Sequence, residues 1–116
     1  MYPIPKDINL QIFKGAIVQQ VCFTINTIIL LFENKGYIQI EAAFVIKRQN
    51  EFKQYEVYPV YYDKDVLKLL EKKVLDIYPK NNNLVIEFED NYLIELINDG
   101  QYESFIINID GKTTVI

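Results

Sequence analysis

Sixteen carboxylates, nine tyrosines and a single cysteine are the side chains of this 116-residue chain that could do chemistry, and there is no histidine. Without histidine the usual general base, the usual zinc ligand and the serine triad are all missing. Cys22 has no histidine to lower its pKa, and it sits in an apolar strand pattern, Val21-Cys22-Phe23, where a thiol packs as a small inert hydrophobe. Two carboxylates can divide acid and base roles, which makes Glu33, Glu41, Glu87, Glu89, Asp90 and Glu95 the remaining candidates. Glu87 and Glu89 lie two apart on a predicted strand and share its outward face, while Leu84, Ile86 and Phe88 alternate inward. That is the pattern of a half-exposed strand with a solvated face. The four glycines are isolated turn residues, so no phosphate-cradling loop exists. The expectation is therefore no catalytic residue, no metal site and no cofactor: not an enzyme.

Binding is the better use of these residues. The stretch from Phe52 to Asp63 places Tyr55, Tyr58, Tyr61 and Tyr62 around Pro59. It reads as an edge strand or covering loop whose rings supply contact area at low entropic cost. With Glu33, Glu87, Glu89 and Glu95 facing outward, these tyrosines are the candidate contacts for a protein partner with a basic surface. A second reading takes Lys47 and Arg48, with nearby tyrosines for stacking, as the anchor for a small nucleotide-like ligand held between subunits of a self-associating protein. Asp99 to Ser104 forms a further polar patch with one aromatic.

Composition sets the limits. The net charge is −4, eleven of the twelve basic residues are lysine, and Arg48 is the one arginine. A nucleic-acid binder needs a positive stripe and usually arginine forks, so direct nucleic-acid binding is not expected. No apolar run approaches the length of a membrane span, and Met1 to Asp7 lacks the basic-then-apolar order of a signal peptide. One cysteine rules out an intramolecular disulfide framework, which makes a reducing cytoplasm the expected compartment. Ile, Lys, Asn, Tyr and Phe are abundant while Ala, Arg, Gly and Pro are scarce, a bias that follows AT-rich codons and fits a bacterial or phage source.

The elements that must position these residues show a tandem pattern. Leu31 to Ile40 reads like Glu87 to Leu96, each an apolar strand, a polar turn and an alternating strand. Val21 to Ile25 and Val74 to Tyr78 precede them as further strands. Before those, residues 7–15 and 64–73 read as short helices: Gly15 closes the first, Asp63 caps the second, and Val66, Leu70 and Val74 stripe it. Ile28-Ile29-Leu30-Leu31 is apolar on both faces and reads as a central strand covered on both sides. The last hairpin turns at Asp110-Gly111. The predicted fold is α+β in one domain, residues 1–116. Antiparallel sheets carry two short helices, in two repeated α-β-β-β units at 7–46 and 65–109.

Pro3 to Asp7, the run from Gly15 to Phe23 with its core Gln20-Val21-Cys22-Phe23, and Gln101 to Phe105 together resemble a group of small bacterial domains of unknown function, several of which look like toxin-immunity proteins. The resemblance spans most of the chain and brings no catalytic motif; the tyrosine-rich middle is not part of it. It implies an antiparallel α+β fold and a protein-binding, non-enzymatic role.

Overall fold

Alternation governs the chain. Ile28, Leu30 and Phe32 are buried while Ile29 and Leu31 between them are half-exposed, and the same period recurs at Leu84, Ile86 and Phe88 and at Tyr92, Ile94 and Leu96. The computed structural model describes residues 3–56, 64–98, 100 and 103–116. They form two five-stranded antiparallel sheets whose inner faces share one hydrophobic core. β1 (Val18–Phe23), β2 (Ile28–Phe32) and β3 (Gly36–Ile40) make a meander. The chain then crosses to the other sheet for β4 (Phe44–Arg48) and β5 (Glu51–Tyr55). After α1 (Lys64–Leu67) the second meander follows: β6 (Val74–Lys80), β7 (Asn83–Phe88) and β8 (Tyr92–Leu96). β9 (Phe105–Ile109) and β10 (Lys112–Val115) cross back. The resulting orders are β1-β2-β3-β9-β10 in the first sheet and β5-β4-β8-β7-β6 in the second.

The registers of the two sheets coincide under a constant shift. Val18 opposite Phe32 becomes Val74 opposite Phe88, and Ile28 opposite Ile40 becomes Leu84 opposite Leu96, each moved by 56 residues. β1 and β6 even carry their bulge at the same place, after Val18 and after Val74. For the exchanged hairpins the shift is 61: Arg48 opposite Glu51 maps onto Ile109 opposite Lys112. The two crossings are tied in the same way, Glu41 N–H donating to Ser104 O at 2.9 Å and Ile97 N–H to Ala43 O at 3.0 Å.

The α+β expectation is overturned: the fold is mainly β. The two predicted helices shrink to a 3-10 turn, Leu10–Phe13, and the single turn of α1. The reason is competition for backbone groups. Residues 15–18, beginning at the predicted end of the first helix, and residues 71–74, the predicted last turn of the second helix and the first residue of the following strand, pair with each other instead. Gly15 N–H donates to Val74 O, Val74 N–H to Ala16 O, Glu71 N–H to Val18 O and Val18 N–H to Lys72 O, all at 2.8–3.1 Å. Just before residue 71 the chain follows i→i+3 turns, such as Leu69 N–H to Val66 O at 3.1 Å, which bring residues three apart onto one side. Val66 and Leu69 are accordingly buried, whereas Leu70 of the predicted stripe is exposed. A left-handed Glu71 (φ 69°) then ends the turn.

The bridge between Ile17 and Lys73 joins the sheets at one corner. Phe13 packs on Phe32 there with ring centroids 5.0 Å apart. β2 is second from an edge rather than central, and its two apolar faces differ in fate. Ile28, Leu30 and Phe32 meet the other sheet, and Ile29 and Leu31 stay half-exposed on the outside.

Candidate functional site

Register defines which side chains share the outer face of the second sheet. Lys47 lies between Phe52 and Leu93, Leu93 is opposite Glu87, and Glu87 is opposite Asp76, so one row of five crosses all five strands. The adjacent row runs Gln54, Val45, Glu95, Val85, Tyr78. Phe52 stands at one end with 72% of its surface exposed, and Leu75, pushed outward by the β6 bulge, stands at the other with 52% exposed. Val85, in the adjacent row, is buried. An open depression of about 600 Å³ lies along the first row, lined by Lys47, Leu75, Glu87, Asp90 and Leu93 among others.

The polar groups of this face are held in place. The Tyr78 hydroxyl donates to the Glu87 carboxylate, and this bond, then burial, then the charges of Glu87, Asp76 and Glu95, push its pKa up to about 12. Glu95 accepts from Asn83 Nδ2 at 2.8 Å, and the Asn83 side-chain oxygen in turn accepts from Asn98 N–H at 2.9 Å. Asp90 pairs with Lys72 at 2.9 Å at the corner. The face is thus a fixed array of apolar side chains and carboxylates with Lys47 inside it.

The structure divides the predicted carboxylates. Glu87 and Glu95 share this face as diagonal neighbours on β7 and β8. Glu89 lies past the end of β7, where its carboxylate accepts from Lys73 N–H at 3.1 Å. Glu33 is across the corner: its N–H donates to Ile17 O, as Glu89 N–H donates to Lys73 O. Those four residues form a row of about three strand spacings, or ~14 Å, between Glu33 and Glu89. Glu41, at the sheet crossing, faces Glu103. Its carboxyl is raised above the ordinary range, mainly by burial and further by the Glu103 charge, against the pull of a 2.8 Å bond from Gln39. Among the described residues no three potential ligands gather to hold a metal ion.

Tyr55 is engaged within the fold. Its ring stacks on Phe44 at 5.4 Å, its hydroxyl donates to Asp65 at 3.1 Å, and Lys53 Nζ lies 5.1 Å from its centroid, so it fastens β5 to α1. Tyr58, Tyr61 and Tyr62 lie outside the described residues. Lys47 and Arg48 are consecutive on β4 and point to opposite faces. Lys47 is on the outer face, and Arg48 carries its guanidinium 5.7 Å from the Tyr92 ring on the inner side, so they do not converge on one ligand. Cys22 is half-buried on the outer face of the first sheet opposite Ile29.

Sequence reasoning overlooked Leu75, Asp76 and Tyr78 as members of this candidate face. Plain alternation through Val74-Leu75-Asp76-Ile77 assigns Leu75 and Ile77 to one side. The bulge breaks that phase, and only the burial of both Val74 and Ile77 reveals it. No known family, characterised protein or solved structure matches this chain. Among the described residues no helix is long and apolar enough to cross a membrane.

Proposed function

We propose that this chain is a non-enzymatic binding protein of inhibitor or immunity type. It seats the outer face of its second sheet on a protein partner whose surface is basic around an apolar cleft. The observation that carries the reading is the row Phe52, Lys47, Leu93, Glu87, Asp76 with Leu75 beside its end, which combines two exposed apolar anchors, Phe52 and Leu75, with carboxylates already oriented by neighbours. Exposed aromatic and aliphatic anchors supply most of the energy of such contacts, while charges fix orientation and speed encounter. Carboxylates held by Tyr78 and Asn83 meet a partner's lysine or arginine with little further ordering cost. The bacterial immunity-type role follows the resemblance given above.

The test is native mass spectrometry of the protein isolated from its own host at low salt, followed by affinity measurement with the partner so named. A defined heterocomplex is expected. Phe52→Ala should weaken it by about 2 kcal/mol or more, and Glu87→Lys should lower the association rate and its salt dependence. A heterocomplex indifferent to both substitutions would refute this use of the face. A homo-oligomer carrying only a small ligand would refute the binding-protein reading itself.

A further inference from the structure

The edge of a β-sheet presents unpaired N–H and C=O groups to any strand that arrives, and folded proteins normally guard it. Among the described residues the two sheets have four edges: β1 and β10 in the first sheet, β5 and β6 in the second. Three are guarded. β1 is bulged, and the segment leading into it pairs with the start of β6. β6 is bulged, contains Pro79, and has its Ile77 carbonyl occupied by Gln11 Nε2 at 3.1 Å. β5 places Glu51 and Lys53 within its five residues. β10 has no bulge and no proline, and after Lys112 it consists of β-branched Thr113, Thr114 and Val115.

Which groups of β10 face outward follows from its pairing with β9. Ile116 and Phe105 exchange backbone bonds, Ile116 N–H to Phe105 O at 2.9 Å and Phe105 N–H to Ile116 O at 3.4 Å. In an antiparallel ladder bonded pairs alternate with non-bonded ones. Thr114 opposite Ile107 and Lys112 opposite Ile109 are then bonded, and Thr113 and Val115 turn their N–H and C=O away from β9. No backbone bond reaches these outward groups among the described residues.

We propose that β10 is a self-association edge. Two copies pair β10 against β10 in antiparallel fashion about a two-fold axis at Thr114, which joins their first sheets into one. In this register Thr113 of each copy bonds to Val115 of the other, so all the outward groups are used. Thr114 then faces Thr114 of the second copy, a favourable cross-strand pair, and Lys112 faces the second copy's Ile116, so no like charges meet. The same operation on β5, which is related to β10 by the 61-residue shift, brings Lys53 directly against Lys53 and is repelled. In this register charge permits β10 and disfavours β5. The outer face beside β10 agrees: its ten outward residues, from Cys22, Ile29, Gln39, Ile106 and Val115 to Gln20, Leu31, Tyr37, Asn108 and Thr113, include no charged side chain. One strand edge is a small contact, so the dimer belongs to the weak, transient class.

Analytical ultracentrifugation over a wide concentration range tests this, with hydrogen exchange at the Thr113 and Val115 amides as the local readout. Wild type should dimerise as concentration rises, with both amides slowing in parallel. Val115→Pro removes an N–H that the monomer does not use and fixes φ at a value an edge strand tolerates, and should raise the dissociation constant by about tenfold or more with unchanged circular dichroism. Thr114→Lys copies the guard of β5 and should do the same. A chain that stays monomeric throughout would overturn the proposal. So would a dimer indifferent to the substitutions, or one whose two amides exchange as fast at high concentration as at low. If one variant fails to fold, the other and the wild-type amides still decide.

Discussion

The corners of the two sheets share one strand register but differ in backbone and side-chain chemistry. In the first sheet the position is Gly36, with Ala16 and Ile109 at the matching places around it. In the second it is Tyr92, with Lys72 and Arg48 there. Gly36 has φ 141°, and a Cβ added to it would lie 1.9 Å from the Asn108 carbonyl oxygen, so β9 closes directly over it. Tyr92 instead fills its corner with a ring that is only 5% exposed. Lys72 Nζ is 4.7 Å and the Arg48 guanidinium 5.7 Å from its centroid, and Lys72 is also paired to Asp90. Backbone proximity closes one corner, while a ring between two cations closes the other. The lesson is that equal registers do not imply equal tolerance: the first corner is limited by space and the second by polarity.

Substitutions at these corners should separate the two limits. Gly36→Ala asks a side chain to occupy both a disallowed backbone region and a filled space. It should cost about 3 kcal/mol or more in a denaturant titration, and a loss under about 1 kcal/mol would mean that β9 yields easily. Tyr92→Phe tests the other corner. The Tyr92 hydroxyl is buried with no hydrogen-bond partner among the described residues, so its removal should stabilise the fold by about 1 kcal/mol while both cations keep their ring. A destabilised phenylalanine variant would show that the hydroxyl is satisfied.

The smallest effect contrasts the charged outer face of the second sheet with the neutral one of the first. Tyr78, held by Glu87, should titrate near 12 rather than 10.0. Because its folded pKa is raised, its contribution to stability is complete below pH 10 and disappears as pH climbs through about 12. Glu87→Gln removes the leading cause of the shift, and spectrophotometric titration should then show the Tyr78 step moving back toward the ordinary value. An unmoved step would place the cause elsewhere.

Much of this was legible in local pattern. The alternation at 28–32 and 84–88 marks strands because a half-buried pleat requires it. Asp110-Gly111 turns the last hairpin with both residues at positive φ. The likeness of Leu31–Ile40 to Glu87–Leu96 appears in the structure as a shared register. The candidate face was only half legible. Glu87 and Glu95 follow from period-two alternation, but Leu75 does not, because a bulge shifts the phase without a marker in composition.

Local sequence by itself determined the strands and their turns, the lack of histidine chemistry and the charge balance, since each depends on residues a few positions apart or on composition alone. Tertiary structure decided the rest. Whether residues 71–73 closed a helix or paired across the corner depended on residues 15–18, more than fifty positions away, offering better-placed backbone partners. The exchange of hairpins between sheets, the company each carboxylate keeps, and the difference between a guarded and an open edge depend in the same way on groups that meet only once the chain has folded.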